Sequence, residues 1–236
     1  RGLPGAGPAI EHATPSFGQA LAELVRRYPG RLALGCLLDL AEAFGYYGIF
    51  ALLSVVVLPK VSISQSAIPF FYIVGSVGAL AGGLAMTAVF DRLGRRRTVT
   101  WCYGLAAAGV LLLAAATTTG SAAAVTVAYV CSSGLATAAW TSAYPTFTEL
   151  FPTHLRGAGA GASVAVGRIG AICGTLVLPS LATSLGATAS YSLVAVFWLV
   201  GVAAMVVYSA RGGVEGAGQS LEALSQLSPA LVARTA

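Results

Sequence analysis

Asp91-Arg92-Leu93-Gly94-Arg95-Arg96-Arg97 holds four of the chain's thirteen lysines and arginines within seven residues. Uncharged apolar runs flank it, Ile68 to Phe90 before and Thr98 to Thr118 after. Each run is about 20 residues long, which as helix at roughly 1.5 Å per residue crosses a hydrocarbon core of ~30 Å. Lys and Arg near span ends are retained on the cytoplasmic side, so the basic segment reads as a cytosolic loop from which the other segments can be oriented. A basic turn in a soluble protein would not carry two such flanks.

Only 9% of the residues are charged against 57% hydrophobic. Soluble domains carry about 25% charged residues, so this chain cannot cover a water-facing surface. The expected fold class is an all-α membrane protein with six transmembrane helices. The net charge of +5 gathers at span boundaries rather than on one face, which excludes nucleic acid as the natural partner and leaves the lipid bilayer. Cys36, Cys102, Cys131 and Cys173 fall in four different apolar runs with no Cys-x-x-Cys and no histidine cluster. Neither a metal site nor a disulfide framework is expected. No Gly-x-x-x-x-Gly-Lys-Ser/Thr is present to suggest ATP hydrolysis; the chain is not read as an enzyme, and no cofactor is expected. It opens on Arg1 without a signal-peptide pattern and is expected to begin part-way through a longer protein.

Three regions follow. Residues 1–30 read as a cytoplasmic linker, with a flexible Gly, Pro and Ala-rich lead and then an amphipathic helix from Phe17 to Tyr28. Leu21, Leu24, Val25 and Tyr28 form its apolar stripe, and Pro29-Gly30 ends it. Residues 31–210 hold six spans, Leu32 to Leu58, Ile68 to Phe90, Thr98 to Thr118, Ala122 to Tyr144, Gly157 to Thr183, and Thr188 to Tyr208. Residues 211–236 read as a mobile cytoplasmic tail. Arg26, Arg27, Arg31, Arg156 and Arg211 fall on the side of the four-arginine segment, and Lys60 lies opposite. Both termini are therefore expected in the cytosol of a multi-pass protein of the plasma (inner) membrane. Gly78 with Gly82 in the second span, and Gly157 with Gly161 and Gly170 with Gly174 in the fifth, have the small-x-x-x-small spacing of close helix contacts. The second and fifth spans are thus candidates for a tight seam.

Ionisable groups inside a span cost about 2.5 to 3.5 kcal/mol each on insertion scales and are functional candidates for that reason. There are three, Asp39, Glu42 and Arg168. Asp39 and Glu42 share a face of the first span, which Tyr46 extends by a turn. Glu42 and Arg168 both lie roughly 15 Å in from the arginine-bearing end, so an ion pair between them is expected if the helices touch. The alternatives are a proton-coupling carboxylate switched by Arg168, and direct contact with substrate. In the fourth span Ser133, Thr137, Trp140 and Tyr144 fall on one face with Thr141 beside them, a stripe suited to a hydrated cavity. Bonds from these small polar residues back to their own helix carbonyls are the competing reading. Tyr47 joins Tyr46 as a cavity candidate. The third and sixth spans lack such a stripe and read as lipid-facing. His154 reads as an ordinary exposed residue.

The segment Asp91-Arg92-Leu93-Gly94-Arg95-Arg96 resembles the G-x-x-x-D-R-x-G-R-R loop signature of the major facilitator superfamily, with Thr87 where the family has its first glycine. Tyr144 to Gly157 (YPTFTELFPTHLRG) is similar to the loop between the tenth and eleventh spans of sugar-porter-like and metabolite:H⁺ symporter members. Gly167-Arg168-Ile169-Gly170 and Phe44-Gly45-Tyr46-Tyr47-Gly48 resemble that branch too. The resemblance implies the carboxyl-terminal half of a twelve-span transporter, built as two inverted three-helix repeats, whose missing amino-terminal half lies upstream or on a partner chain. It further implies that the first and fourth spans line the cavity, the second and fifth meet the other half, and the third and sixth face lipid. Asp91, Arg92, Arg95, Arg96, Glu149 and Arg156 would form a cytoplasmic gate network. The expected function is secondary active transport of a small organic solute, coupled to H⁺. A stand-alone six-span scaffold, receptor or channel is the alternative from another class, and a drug-efflux antiporter the alternative within transport.

Overall fold

The computed structural model describes residues 15–213 and Glu215. The expectations for the lead and for the rest of the tail lie outside the described residues. Helix α1 (Phe17–Arg27) starts at a reciprocal cap between Ser16 and Gln19. Leu24 is fully buried as the stripe predicts, while Val25 stays 55% exposed. Pro29 does not merely end α1: it occupies the first turn of α2 (Pro29–Leu52), where a missing N–H costs nothing. A π-helical turn (Leu53–Val57) carries α2 into the short α3 (Leu58–Lys60), and together they make the first span. The others are α4 (Ile68–Leu93), α5 (Arg95–Thr118), α6 (Ala122–Leu150), α7 (Arg156–Leu185) and α8 (Ala187–Ala210). Among the described residues six helices are long and apolar enough to cross a membrane and no strand forms, the make-up of half of a major facilitator fold.

Two boundaries correct the sequence reading. The four-arginine segment is not a loop: Asp91 and Arg92 finish α4, Arg95 to Arg97 begin α5, and Gly94 alone joins them at φ 80°. Left-handed backbone of this kind favours glycine. Similarly, α6 runs through Pro145 and ends only at Leu150, so half of the expected loop is helix.

The two three-helix blocks are related by their packing. The first span packs chiefly on α7, α4 packs on α6, and α5 packs on α8. Exchanging the blocks turns the first of these pairs into the second and maps the third onto itself. Gly186, the junction of α7 and α8, repeats the Gly94 backbone with φ 88° and ψ 162°. Each block has an odd number of crossings, so the repeats are inverted.

The glycine seams join neighbours within this half rather than joining α4 to α7. Side chains at Gly78 and Gly82 would overlap the Val130 and Gly134 carbonyls of α6. Gly170 and Gly174 lie against the α2 backbone at Leu40 and Phe44, whereas Gly157 and Gly161 face open space. The third span, read from its sequence as lipid-facing, is exposed on one face only. Trp101 is 67% exposed, but Tyr103, Val110 and Leu113 on the other face are fully buried.

Candidate functional site

Glu42 is completely buried, and its Oε2 lies 2.7 Å from the Tyr103 hydroxyl of α5. That hydroxyl is also 3.2 Å from the Leu38 carbonyl, and Glu42 Oε1 has no hydrogen-bond partner among the described residues. Asp39, 3% exposed, is seated against α7 where Gly167 leaves room: a Cβ at 167 would occupy the place of Asp39 Oδ2. Arg168 is exposed, and its Nη1 donates to the Tyr47 hydroxyl at 3.1 Å. The expected ion pair between Glu42 and Arg168 is therefore not formed. Equal depth fixes height on a helix but not azimuth. Glu42 and Tyr47, five residues apart, point about 140° apart around α2, one toward α5 and the other toward Arg168.

Tyr46 and Tyr47 of α2 converge with Trp140 and Tyr144, the latter two on the one face of α6 that their spacing predicts. The Tyr46 ring lies 5.1 Å and the Tyr47 ring 6.3 Å from Trp140, which stacks on Tyr144 at 5.5 Å and 15°. All four are half-buried, leaving ring surface open. The Arg168 guanidinium sits 6.0 Å from the Tyr47 ring centre, so one fixed positive charge borders an aromatic wall. Of the hydroxyls on the α6 stripe, Thr141 bonds back to the Thr137 carbonyl at 2.8 Å, and Ser133 is buried. Thr137 is half-buried. Deeper aromatics extend the wall: Phe50 lies 5.1 Å from Tyr46 and stacks on Tyr72 at 5.3 Å. Tyr72 in turn donates to the Phe50 carbonyl at 3.0 Å, next to the π-helical turn.

At the arginine-bearing end Arg95 grips Glu149 with two bonds, Nε to Oε2 at 2.7 Å and Nη2 to Oε1 at 2.8 Å. Its Nη1 reaches Asp91 at 2.8 Å, and Phe90 packs 4.5 Å beneath the guanidinium. The remaining expected members are placed differently. Arg96 pairs with Glu215 at 3.2 Å and donates to the Gly213 carbonyl. Arg156 donates to the Thr148 carbonyl at 2.7 Å and makes no ion pair among the described residues; nor does exposed Arg92. Glu149 lies on α6 opposite Arg95 at the start of α5, whereas Arg156 opens α7 and reaches the Thr148 carbonyl near the end of α6 and, at 3.4 Å, the Thr153 hydroxyl. His154 is 3.7 Å from Glu23, which brings it toward α1 rather than leaving it alone in solvent.

Two functional candidates had no signal in the sequence. Tyr103 lies in a span with no polar stripe, and only the approach of α5 to α2 identifies it. Glu215 sits in a segment that reads as mobile tail, yet its carboxylate accepts the Arg95 backbone N–H at 2.8 Å and lies 3.3 Å from that of Arg96. It caps the positive end of α5.

Comparison with known proteins agrees with this architecture. The family model described as sugar (and other) transporter matches residues 9–227. The niacin transporter NiaP of Acinetobacter baylyi is 28% identical over 183 residues, covering 77% of this chain and 40% of that protein. The chain thus spans less than half the length of this relative.

Proposed function

Since this chain belongs to the sugar (and other) transporter family, within the major facilitator superfamily, we propose that it forms one half of an alternating-access transporter for a ring-bearing organic anion, driven by protons. Its role in carrying a small solute across a membrane, as a multi-pass integral protein, follows from that membership. Arg168 beside the Tyr47, Trp140 and Tyr144 rings is the observation that carries the finer reading. A carboxylate on the solute would pair with the guanidinium while its ring stacks on the wall. Niacin, the solute in the relative's name, has such a ring and carboxylate.

Proton coupling is assigned to Glu42. The Tyr103 hydroxyl has one proton and two nearby acceptors, and both contacts are satisfied together when Glu42 carries a proton of its own. Asp39, held at Gly167 next to Arg168, would relay solute occupancy to that site. The arginine-bearing end is read as cytoplasmic, with the Arg95–Glu149 pair as a gate. The second half would supply the opposite cavity wall, covering the exposed faces of α4 and α7, the least buried of the spans.

The test is uptake of labelled niacin and benzoate by the full-length protein. Arg168→Gln should lower kcat/KM about 10- to 100-fold, the worth of one charged hydrogen bond. Unchanged uptake of both, or stronger uptake of a neutral sugar, would show that the solute is not an organic anion held at Arg168.

A further inference from the structure

A cavity of about 600 Å³ lies away from the aromatic wall at the arginine-bearing end, between the start of α2 and the end of α8. Its rim carries Arg27, Arg31 and Arg211, and no carboxylate lines it among the described residues. Its inner wall is apolar, formed by side chains such as Leu37, Ala204 and Val207. Leu37 and Val207 are also 39% and 48% exposed, so the apolar half opens on the outer surface of the bundle. Tyr28 and Tyr208 stand where the two halves meet, the level at which aromatic residues settle in a bilayer.

We infer that this cavity binds an anionic phospholipid, headgroup phosphate among the three arginines and acyl chain against α2 and α8. Both helices are long and apolar enough to cross a membrane, which puts the apolar wall at the edge of the hydrocarbon and the rim at the phosphate plane. Basic pockets between spans at this level hold acidic headgroups. The competing partners of the arginines leave charge to spare. Arg27 meets Glu23 at 3.3 Å with 69% of its side chain still exposed. Arg31 uses Nη1 on the Leu150 carbonyl at 3.0 Å and its face on Tyr28. Arg211, at the negative end of α8, makes no ion pair among the described residues. A free phosphate would use the rim but leave the apolar wall uncovered, and a zwitterionic lipid would bring a cation among three arginines. An acidic lipid satisfies both halves.

Native mass spectrometry of the full-length protein tests this with added phosphatidylglycerol, phosphatidylcholine or glycerol 3-phosphate. One phosphatidylglycerol should be retained in preference to phosphatidylcholine, and Arg27→Gln with Arg211→Gln should weaken retention by about fivefold for each charge removed. Val207→Trp, at a surface position that leaves folding intact, should fill the apolar part and expel the lipid while the arginines remain. Equal retention of the two lipids, an unchanged preference in the double variant, or equal binding of glycerol 3-phosphate would overturn the inference. So would exclusion of lipid from the intact protein that is relieved by deleting residues 216–236, since the tail would then be the occupant.

Discussion

The Tyr103 hydroxyl lies 2.7 Å from the Glu42 carboxyl, joining the third span to the first at a point with no exposure to solvent. Any movement of α5 against α2 must break or remake this contact, and in a low-dielectric interior an unmet partner is costly. Tyr103→Phe should therefore destabilise the protein by about 1 to 3 kcal/mol, the cost of a buried polar group left without its bond. Thermal unfolding in detergent measures it, and a loss below that range would mean that the bond is dispensable.

Glu42→Gln keeps the shape and the bond to Tyr103 but cannot release a proton. It should fold and exchange solute across the membrane, yet fail to accumulate solute when a pH gradient is imposed. Normal gradient-driven accumulation would remove Glu42 from the coupling step and leave Asp39 as the candidate.

Gly167 and Gly161 lie on the same helix and differ in what a methyl group would meet. At Gly167 it would collide with Asp39, and at Gly161 nothing lies within 4 Å. Gly167→Ala should cost about 1 to 3 kcal/mol, or force Asp39 out of its seat. Gly161→Ala should stay within about 0.5 kcal/mol of the parent. Parallel melting curves of the two variants separate a packing requirement at Asp39 from a general intolerance of α7.

The Arg95–Glu149 pair is bidentate and largely covered, with 13% and 17% side-chain exposure, whereas Asp91 is 82% exposed. A double-mutant cycle on Arg95→Gln and Glu149→Gln should give a coupling energy of about 1 to 3 kcal/mol. Asp91→Asn should change stability by less than about 1 kcal/mol, because solvent screens its half of the network. If the pair is also a gate, both single variants should raise leak of solute while the charge-reversed pair restores uptake.

Glu215 caps the first turn of α5 through two backbone N–H groups. Glu215→Gln should weaken that end by about 0.5 to 2 kcal/mol. Hydrogen exchange at residues 95–98 should accelerate while the centre of α5 is unaffected; unchanged exchange there would mean that the cap holds nothing in solution.

Much of the architecture follows from local chemistry alone. Apolar runs of span length, interrupted by arginines at one side only, permit few arrangements, because every buried backbone group in a bilayer must be met within its own helix. Of the ring residues, helical spacing put Trp140 one turn before Tyr144 on α6, but that Tyr46 and Tyr47 of α2 meet them was decided by helix packing. Helix ends were harder. Gly94 turns the chain in a single residue, and α6 continues through Pro145 instead of ending there.

What the residues by themselves determined was six helices long and apolar enough to cross a membrane, which ionisable groups lie within them, and how far along each helix those groups fall. Only the tertiary structure decided which neighbour each group meets. It turned Glu42 toward Tyr103, left Arg168 to Tyr47, and brought Glu215 back to α5. Depth and period are properties of one helix, but azimuth becomes a contact only when a second helix is placed beside it. In this bundle that placement was set by glycines that let α7 close on α2 and α4 close on α6.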